Sequence, residues 1–419
     1  MGIFVRFLSI LPCIFAINTF CIDNRNLIIA VDSVPDDDSV RVQEVIQPVI
    51  DTAIADSALK ITQTETDSLQ SSITDTLSLP DTLTVLDSIF KDTLSIVMVG
   101  DVMLGTNYPS GNYLPPGNNC YPLLDSVKHN IRRADISFCN LEGVFAGESG
   151  TPKYCKDPKN CYVFRMPDEY IDCLCDGGFN LLSVANNHVN DFGTEGRLHA
   201  TGVLEKAGFN FAGFSDRPYT LFEAEGLLVG FCAFAPNSGV VDLRDLDQAE
   251  AIVRFLSDTC DIVIVSMHAG AEGRDHQHVT REKEIFLGAD RGNVYKFAHR
   301  MIDAGADVII GHGPHVTRAM EIYNDRFIAY SLGNFATYSR FNLSGPNGIA
   351  PLVQISIDRE GKFLSGIITP TMQTGEGGAR IDPEKRVIWK IQELNRIDFP
   401  DNILLIDNQG NILHKMETE

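Results

Sequence analysis

The sequence predicts an α/β protein whose first half pairs its strands largely in parallel. Three observations carry that reading. From Leu94 onward, short β-branched runs alternate with amphipathic stretches, the pattern of strand–helix units. Glycine closes two of those stretches, at Gly208 and Gly305, as expected at helix C-termini. Five of the apolar runs end in polar side chains, and in open α/β sheets the carboxyl ends of strands are where sites are built.

Taken in order, residues 1–22 carry one early positive charge, Arg6, then the apolar run Phe7 to Phe20, closed by Asp23, Asn24 and Arg25. This reads as an export signal or N-terminal anchor. Lipidation at Cys21 is disfavoured by the bulky Phe20 before it. Residues 23–93 read as an acidic Ser/Thr-rich linker. Between Val31 and Thr93 there are 13 acidic residues against Arg41, Lys60 and Lys91, a composition that cannot bury enough apolar area to fold.

Residues 94–380 form the expected domain. Its strands are expected at Leu94–Val99, Ile136–Cys139, Phe179–Val184, Leu227–Phe234, Asp261–Met267, Asp307–Ile310 and Phe327–Ser331. Helices are expected at Tyr121–Ala134, Asp168–Cys175, Gly196–Ala207 and Asn293–Ala304. After Pro351 the signal turns to a hairpin, Leu352–Ile357 and Phe363–Ile368 flanking Asp358-Arg-Glu-Gly361. Residues 381–419 are set apart as a C-terminal extension.

Composition excludes several classes. The chain has 419 residues, 34 Lys and Arg against 56 Asp and Glu, and a formal charge of −22, so a general nucleic-acid binder with a basic face is out. No internal apolar run reaches the ~18 residues of a membrane helix, which excludes a multi-pass membrane protein. There is no CxxC, no G-x-S-x-G elbow and no P-loop, which removes ribbon-type zinc sites, serine hydrolases of that kind and Walker-type nucleotide binding.

The strand ends deliver a chemically coherent set. They are Asp101, then Asn140 and Glu142, then Asn186, Asn187 and His188, then His268, and finally His312 and His315. Singly, Asp101 reads equally as a helix cap, Asn186-Asn187 as turn formers and His268 as a core histidine. Together they place carboxylate, amide and imidazole on one sheet edge, a mixture suited to one or two divalent ions of Mn, Fe, Zn or Mg rather than to thiolate-loving metals. Two ions about 3.5–4 Å apart would activate a bridging water and neutralise a phosphoryl centre, and a histidine outside the ligand set, His188, would protonate the leaving group.

At this point the motifs resemble the CapA family of capsule or poly-γ-glutamate synthesis proteins, within the calcineurin-like metallophosphoesterase superfamily. The blocks are Val99-Gly-Asp-Val-Met-Leu104, Cys139-Asn-Leu-Glu142, Phe164-Arg-Met-Pro167 and Ala185-Asn-Asn-His-Val-Asn-Asp-Phe-Gly193. They continue with Met267-His-Ala-Gly-Ala-Glu272, Ile302 to His315 and Tyr330-Ser-Leu-Gly-Asn-Phe335. The resemblance implies a four-layer α/β/β/α sandwich. It implies metal ligands at Asp101, Glu142, Asn187, His268, His312 and His315, and a general acid at His188. Asn140, Asn186, Arg165, Glu272 and Asn334, in or beside the same blocks, are the candidate substrate-binding residues. The sequence departs from the superfamily at Met103, where a histidine is expected, and in the three-residue spacing of His312 and His315. Ala269 stands where the family has Trp.

The function implied is an exported, metal-dependent phosphoesterase-type protein of the cell envelope, engaged in capsule or poly-γ-glutamate synthesis. It would act on an anionic polymer or phosphoester, with polymer synthase or export membrane proteins as partners and no nucleic acid. Two rivals keep the same fold: a non-catalytic metal- or polymer-binding component, and a hydrolase of γ-glutamyl amide bonds. In an oxidising compartment Cys155 and Cys161 are placed to pair, whereas Cys139, Cys232 and Cys260 fall in apolar patterns as buried thiols.

Overall fold

The computed structural model describes residues 20–23, 26–29, 91–155 and 161–414, and the chain divides into two units, Met1–Thr82 and Leu83–Glu419. Within the first, Phe20–Asp23 and Asn26–Ile29 form an antiparallel hairpin. The expected export segment and acidic linker otherwise lie outside the described residues. Among the described residues, no helix is long and apolar enough to cross a membrane.

The second unit carries the strands in three groups. The first is β1 (Thr93–Met103), β2 (Ile136–Leu141), β3 (Leu181–Ser183) and β4 (Asn210–Ala212). The second is β5 (Tyr219–Ala224), β6 (Leu227–Ala235), β7 (Ile262–His268), β8 (Val308–His312), β9 (Met320–Tyr323) and β10 (Arg326–Ala329). The chain then returns through β11 (Asn334–Thr337), β12 (Ile349–Asp358), β13 (Phe363–Met372), β14 (Leu404–Ile406) and β15 (Asn411–His414). The principal helices are α1 (Ile171–Gly177), α2 (Gly193–Lys206), α3 (Leu246–Ser257), α4 (Val294–Asp303) and α5 (Arg386–Asp398).

One sheet runs β14-β15-β13-β12-β1-β2-β3-β4 with β11 beside β1; the other runs β9-β10-β8-β7-β6-β5. β1 to β4 are mutually parallel, as are β6, β7, β8 and β10. Period-2 alternation explains the layering. Val229, Phe231, Ile262, Ile264, Val308 and Ile310 share one core with the first sheet. Their neighbours Cys232, Phe234, Val263, Val265 and Ile309 face α3 and α4. The strands are therefore apolar on both faces, as parallel strands between helices must be. Phe138 of β2 meets Phe231 of β6 edge to face, centroids 5.7 Å apart, across the sheet interface. This is the four-layer sandwich that the resemblance implied.

Register positions the polar strand ends. In the first sheet Asp101 is the Cα partner of both Asn140 and Asn334. In the second His268 is the partner of His312. At Gly100 a Cβ would collide with the carbonyl of Gly333. That carbonyl instead accepts the Asp101 N–H at 2.8 Å, so glycine lets the β11 turn close on the aspartate.

Several sequence expectations need revision. Tyr121–Ala134 is not one helix but a 3₁₀ turn, Tyr121–Leu123, and a four-residue helix, Lys128–Ile131. For the C-terminal extension the sequence leaves open packing on the domain or a separate lip; residues 381–414 pack on the domain. α5 buries Val387, Ile388, Ile391 and Leu394, and β14–β15 continue the first sheet. Cys155 pairs with Cys161 as expected, and Cys120 pairs with Cys173 across 53 positions, which the sequence reading did not find.

Candidate metal centre

Each candidate side chain is placed by the strand or turn that carries it. Asp101, at the end of β1, is fully buried, as are Glu142, His268 and His312. Asp101 Oδ1 accepts from Asn140 Nδ2 at 2.8 Å, and Oδ2 accepts from His315 Nδ1 at 2.8 Å. His312 Nδ1 stands 3.5 Å from Asp101 Oδ1, and His268 Nε2 stands 3.3 Å from Glu142 Oε2. Glu142 Oε1 lies 3.9 Å from both His188 Nε2 and His315 Nε2.

Satisfaction of polar atoms is uneven in an informative way. Both ring nitrogens of His268 and of His312, together with Glu142 Oε1 and Asn187 Oδ1, are buried without a hydrogen-bond partner. Such orphans are rare in folded interiors, because each costs about 1–3 kcal/mol. Here six of them belong to four residues that the sequence marked as candidate ligands. Among the described residues no group of three or more His, Cys, Asp or Glu side chains is arranged to hold a metal ion. Asp101 is instead bonded directly to His315 and Asn140.

Electrostatics follow from that packing. Burial alone would raise the Asp101 carboxyl, but His312 and His315 outweigh it and hold it far below the usual carboxylate range. Glu142 is likewise held low, burial being overcome chiefly by the charge of His268. Burial works against a proton on His315, yet the bond to Asp101 and the charges of Asp101, Glu142 and Glu272 push it to about 10. His312 moves down, because burial dominates. The site therefore holds ionised carboxylates balanced by a proton on His315.

His188 sits at the edge of this group. Its Nδ1 donates to Asp191 Oδ2 at 2.8 Å, and its ring stacks on Phe164 at 4.3 Å. Asp191 is fully buried, accepts the Phe164 N–H at 2.6 Å, and pairs with Lys153 Nζ at 2.5 Å. The sequence reading quoted the motif containing Asp191 without giving it a role. The signal was its position three residues after His188.

The candidates for substrate binding divide. Asn334 is buried and within 3.1 Å of His315 Nδ1, and with Glu272 it lines a cavity of about 510 Å³ that opens over the cluster. Asn140 and Asn186 lie behind the carboxylates instead. Asn140 Nδ2 bridges Asp101 and Glu142, while Asn186 Nδ2 donates to Leu141 O and Asn140 Oδ1. Asn140 thus fixes the carboxylates, Asn186 braces Asn140, and neither lines the cavity. Arg165 is also away from the cavity: its Nε donates to Asn107 Oδ1 at 2.7 Å, and its guanidinium lies over Tyr108 and Phe192. The cations on the cavity wall are Lys153, Arg291 and Arg340, none of which the sequence reading singled out.

Residues 95–339 match the family described as bacterial capsule synthesis protein PGA_cap. The chain belongs to that family. Among curated relatives of this PGA_cap member, the capsule biosynthesis protein CapA of Bacillus anthracis is 25% identical over 307 residues, covering 68% of this chain and 69% of that one. The PGA biosynthesis protein CapA of Bacillus subtilis (strain 168) is 27% identical over 267 residues, covering 58% and 63%. The chain thus spans about two thirds of the length of these relatives. Among solved structures, it is similar to a putative 5'-nucleotidase from Staphylococcus aureus, 14% identical, TM-score 0.41, covering 72% of this chain and 58% of that one.

Proposed function

We propose that this PGA_cap member is a metal-dependent hydrolase of the phosphoester type that acts outside the cytoplasmic membrane in the assembly of a capsule or poly-γ-glutamate polymer. The polymer role is carried over from the relatives. The chemistry rests on one observation: His268 and His312, side by side on adjacent strand ends, are wholly buried with all four ring nitrogens unpartnered, next to Asp101 and Glu142.

That donor set fits a divalent cation. Imidazole, carboxylate and amide oxygen suit Mn, Fe, Zn or Mg, and Glu142 Oε1, Asn187 Oδ1 and one ring nitrogen each of His268 and His312 would gain a partner if such an ion were held by Asp101, Glu142, Asn187, His268, His312 and His315. Metal supplies Lewis acidity toward the phosphoryl oxygens and a water of lowered pKa. The proton on His315 must leave as a cation enters, so loading is coupled to proton release. Asn140 holds the carboxylates in place and is itself held by Asn186. Asp191 keeps the His188 proton on Nδ1 and stabilises the ring when it is charged, so Nε2, turned toward Glu142, is the atom that passes a proton to the leaving oxygen. The wall of Phe164 and Phe341 limits water beside that ring. The two disulfides accord with an oxidising compartment.

A second reading, a polymer-binding component without turnover, draws on the cations and aromatic side chains of the cavity wall. One experiment separates the two. Metal is measured by elemental analysis on the full chain and on His312→Ala, and hydrolysis of phosphomonoesters, phosphodiesters and γ-glutamyl amides is assayed with His188→Ala alongside. Bound metal that falls in His312→Ala, with turnover lost in a metal-replete His188→Ala, is the expected result. Metal without turnover on any substrate favours the binding component, and no metal under replete conditions overturns the hydrolase.

A further inference from the structure

The cavity over the cluster is larger than a phosphoryl group alone requires, and its charge is distributed unevenly. Besides His315, three Lys and Arg side chains line it, Lys153, Arg291 and Arg340, in a protein of net charge −22. Lys153 is paired with Asp191 at 2.5 Å, and Arg291 lies 3.1 Å from Glu272. Arg340 differs. Among the described residues its guanidinium has no carboxylate partner and no hydrogen bond. It lies over the rings of Tyr113 and Tyr162, 4.7 and 5.0 Å from their centroids.

The backbone that presents it is unusual as well. Ser339 and Arg340 have φ of 55° and 57°, consecutive left-handed residues that are neither glycine nor asparagine. Such conformations persist where the surroundings over-determine them, and they cluster at ligand sites. The turn brings Arg340 and Phe341 onto the cavity wall together. Phe341 stacks on Phe164, which stacks on His188, so Arg340 is connected by aromatic contacts to the group assigned to proton transfer. The match to the family ends at residue 339, immediately before this pair.

We propose that Arg340 is a specificity-determining residue: a guanidinium held between two tyrosine rings that receives a second oxyanion of the substrate, a carboxylate or a phosphate, at a distance from the reacting phosphoester. Aromatic faces restrain the planar fork while leaving its N–H edge for bidentate recognition, which a lysine could not reproduce. The inference rests on the hydrolase reading above for the position of the reacting group.

The test compares three substrates of one chain length: propyl phosphate, 3-(phosphonooxy)propanoate and 1,3-propanediol bisphosphate. They carry no second anion, a carboxylate and a phosphate, respectively. The metal-loaded full chain should favour the two substrates with a second anionic group through KM, by about ten- to a hundred-fold, the strength of a charge-assisted pair. In Arg340→Gln that preference should vanish, with metal content, kcat and the KM for propyl phosphate unchanged. Arg340→Lys should restore only part of it. The larger of the two preferences names the oxyanion. Equal treatment of all three substrates by the wild type, or an Arg340→Gln loss shared by propyl phosphate, overturns the assignment. If no substrate turns over, the hydrolase reading fails separately. Calorimetric binding of propanoate, glutarate and 1,3-propanediol bisphosphate to wild type and Arg340→Gln then decides the subsite: binding confined to the dianions and lost in the variant upholds it, and binding indifferent to Arg340 ends it.

Discussion

Replacing Asp191 by Asn tests the proton-transfer geometry without emptying the site. Asp191 is fully buried, and its Oδ2 accepts both the Phe164 N–H and His188 Nδ1–H, at 2.6 and 2.8 Å. An amide of the same shape can keep its oxygen on both N–H groups, its NH₂ taking the place of Oδ1 beside Lys153, but it brings no negative charge to the ring. The protonated form of His188, the form that donates, would then lose its counter-charge and be less populated. General acid catalysis is worth about 10²–10⁴-fold, and a loss in kcat of that order is expected on an alkyl phosphate. On p-nitrophenyl phosphate, whose leaving group needs little protonation, the loss should be far smaller. Metal content should hold, because no proposed ligand is altered. The double variant Asp191→Asn/His188→Ala should be no worse than His188→Ala, since residues acting as one unit are not additive. Steady-state kinetics on both substrates, with elemental analysis, decides the matter. An equal fall on both substrates, or full additivity, would show that Asp191 only supports the fold.

Two further outcomes concern stability. Arg318 is fully buried and donates to both oxygens of Glu284, at 2.8 and 2.7 Å, and to His276 O and Ala271 O. Glu284→Ala leaves that charge unpaired and should cost about 3–5 kcal/mol in urea unfolding; less than about 1 kcal/mol would refute the pair's role in fastening the segment that carries Glu272 and Arg291. Burial raises the Asp307 carboxyl to about 6, against its bonds from Val263 N–H and Arg326. The folded chain therefore keeps a proton that the unfolded chain has released, and stability falls as pH rises from about 4 to about 6, by up to about 3 kcal/mol. Asp307→Asn should flatten that slope in thermal unfolding; an unchanged slope would locate the titration elsewhere.

Much of the fold was legible because parallel strands buried on both faces leave continuous apolar runs, and because glycine marks helix ends. Elements with weaker signals were passed over. β5 is half exposed along its whole length, so Tyr219–Ala224 shows no apolar run. α5 has the right periodicity, Val387, Ile388, Ile391 and Leu394, but follows a hairpin at a point where the chain reads as leaving the domain. The site was legible to the extent that chemistry clusters at strand ends. Asp101, Glu142, His188, His268, His312 and His315 do meet, because register brings those ends together.

What a linear reading could not supply is which polar side chains look inward. Asn140, Asn186 and Asn334 all stand in recognisable blocks, yet Asn140 braces the carboxylates, Asn186 braces Asn140, and of the three only Asn334 lines the cavity. Arg165 reads in sequence as an anion binder or equally as a surface salt bridge; the rings of Tyr108 and Phe192 and the amide of Asn107 hold it away from the cavity. Arg340, in no block at all, occupies the equivalent chemical position through a strained turn. Residues that form the reacting centre must sit on rigid strand ends, which leaves a periodic trace in the sequence. Residues that select the substrate sit on turns between them, where only the folded chain shows which cation is left without a partner.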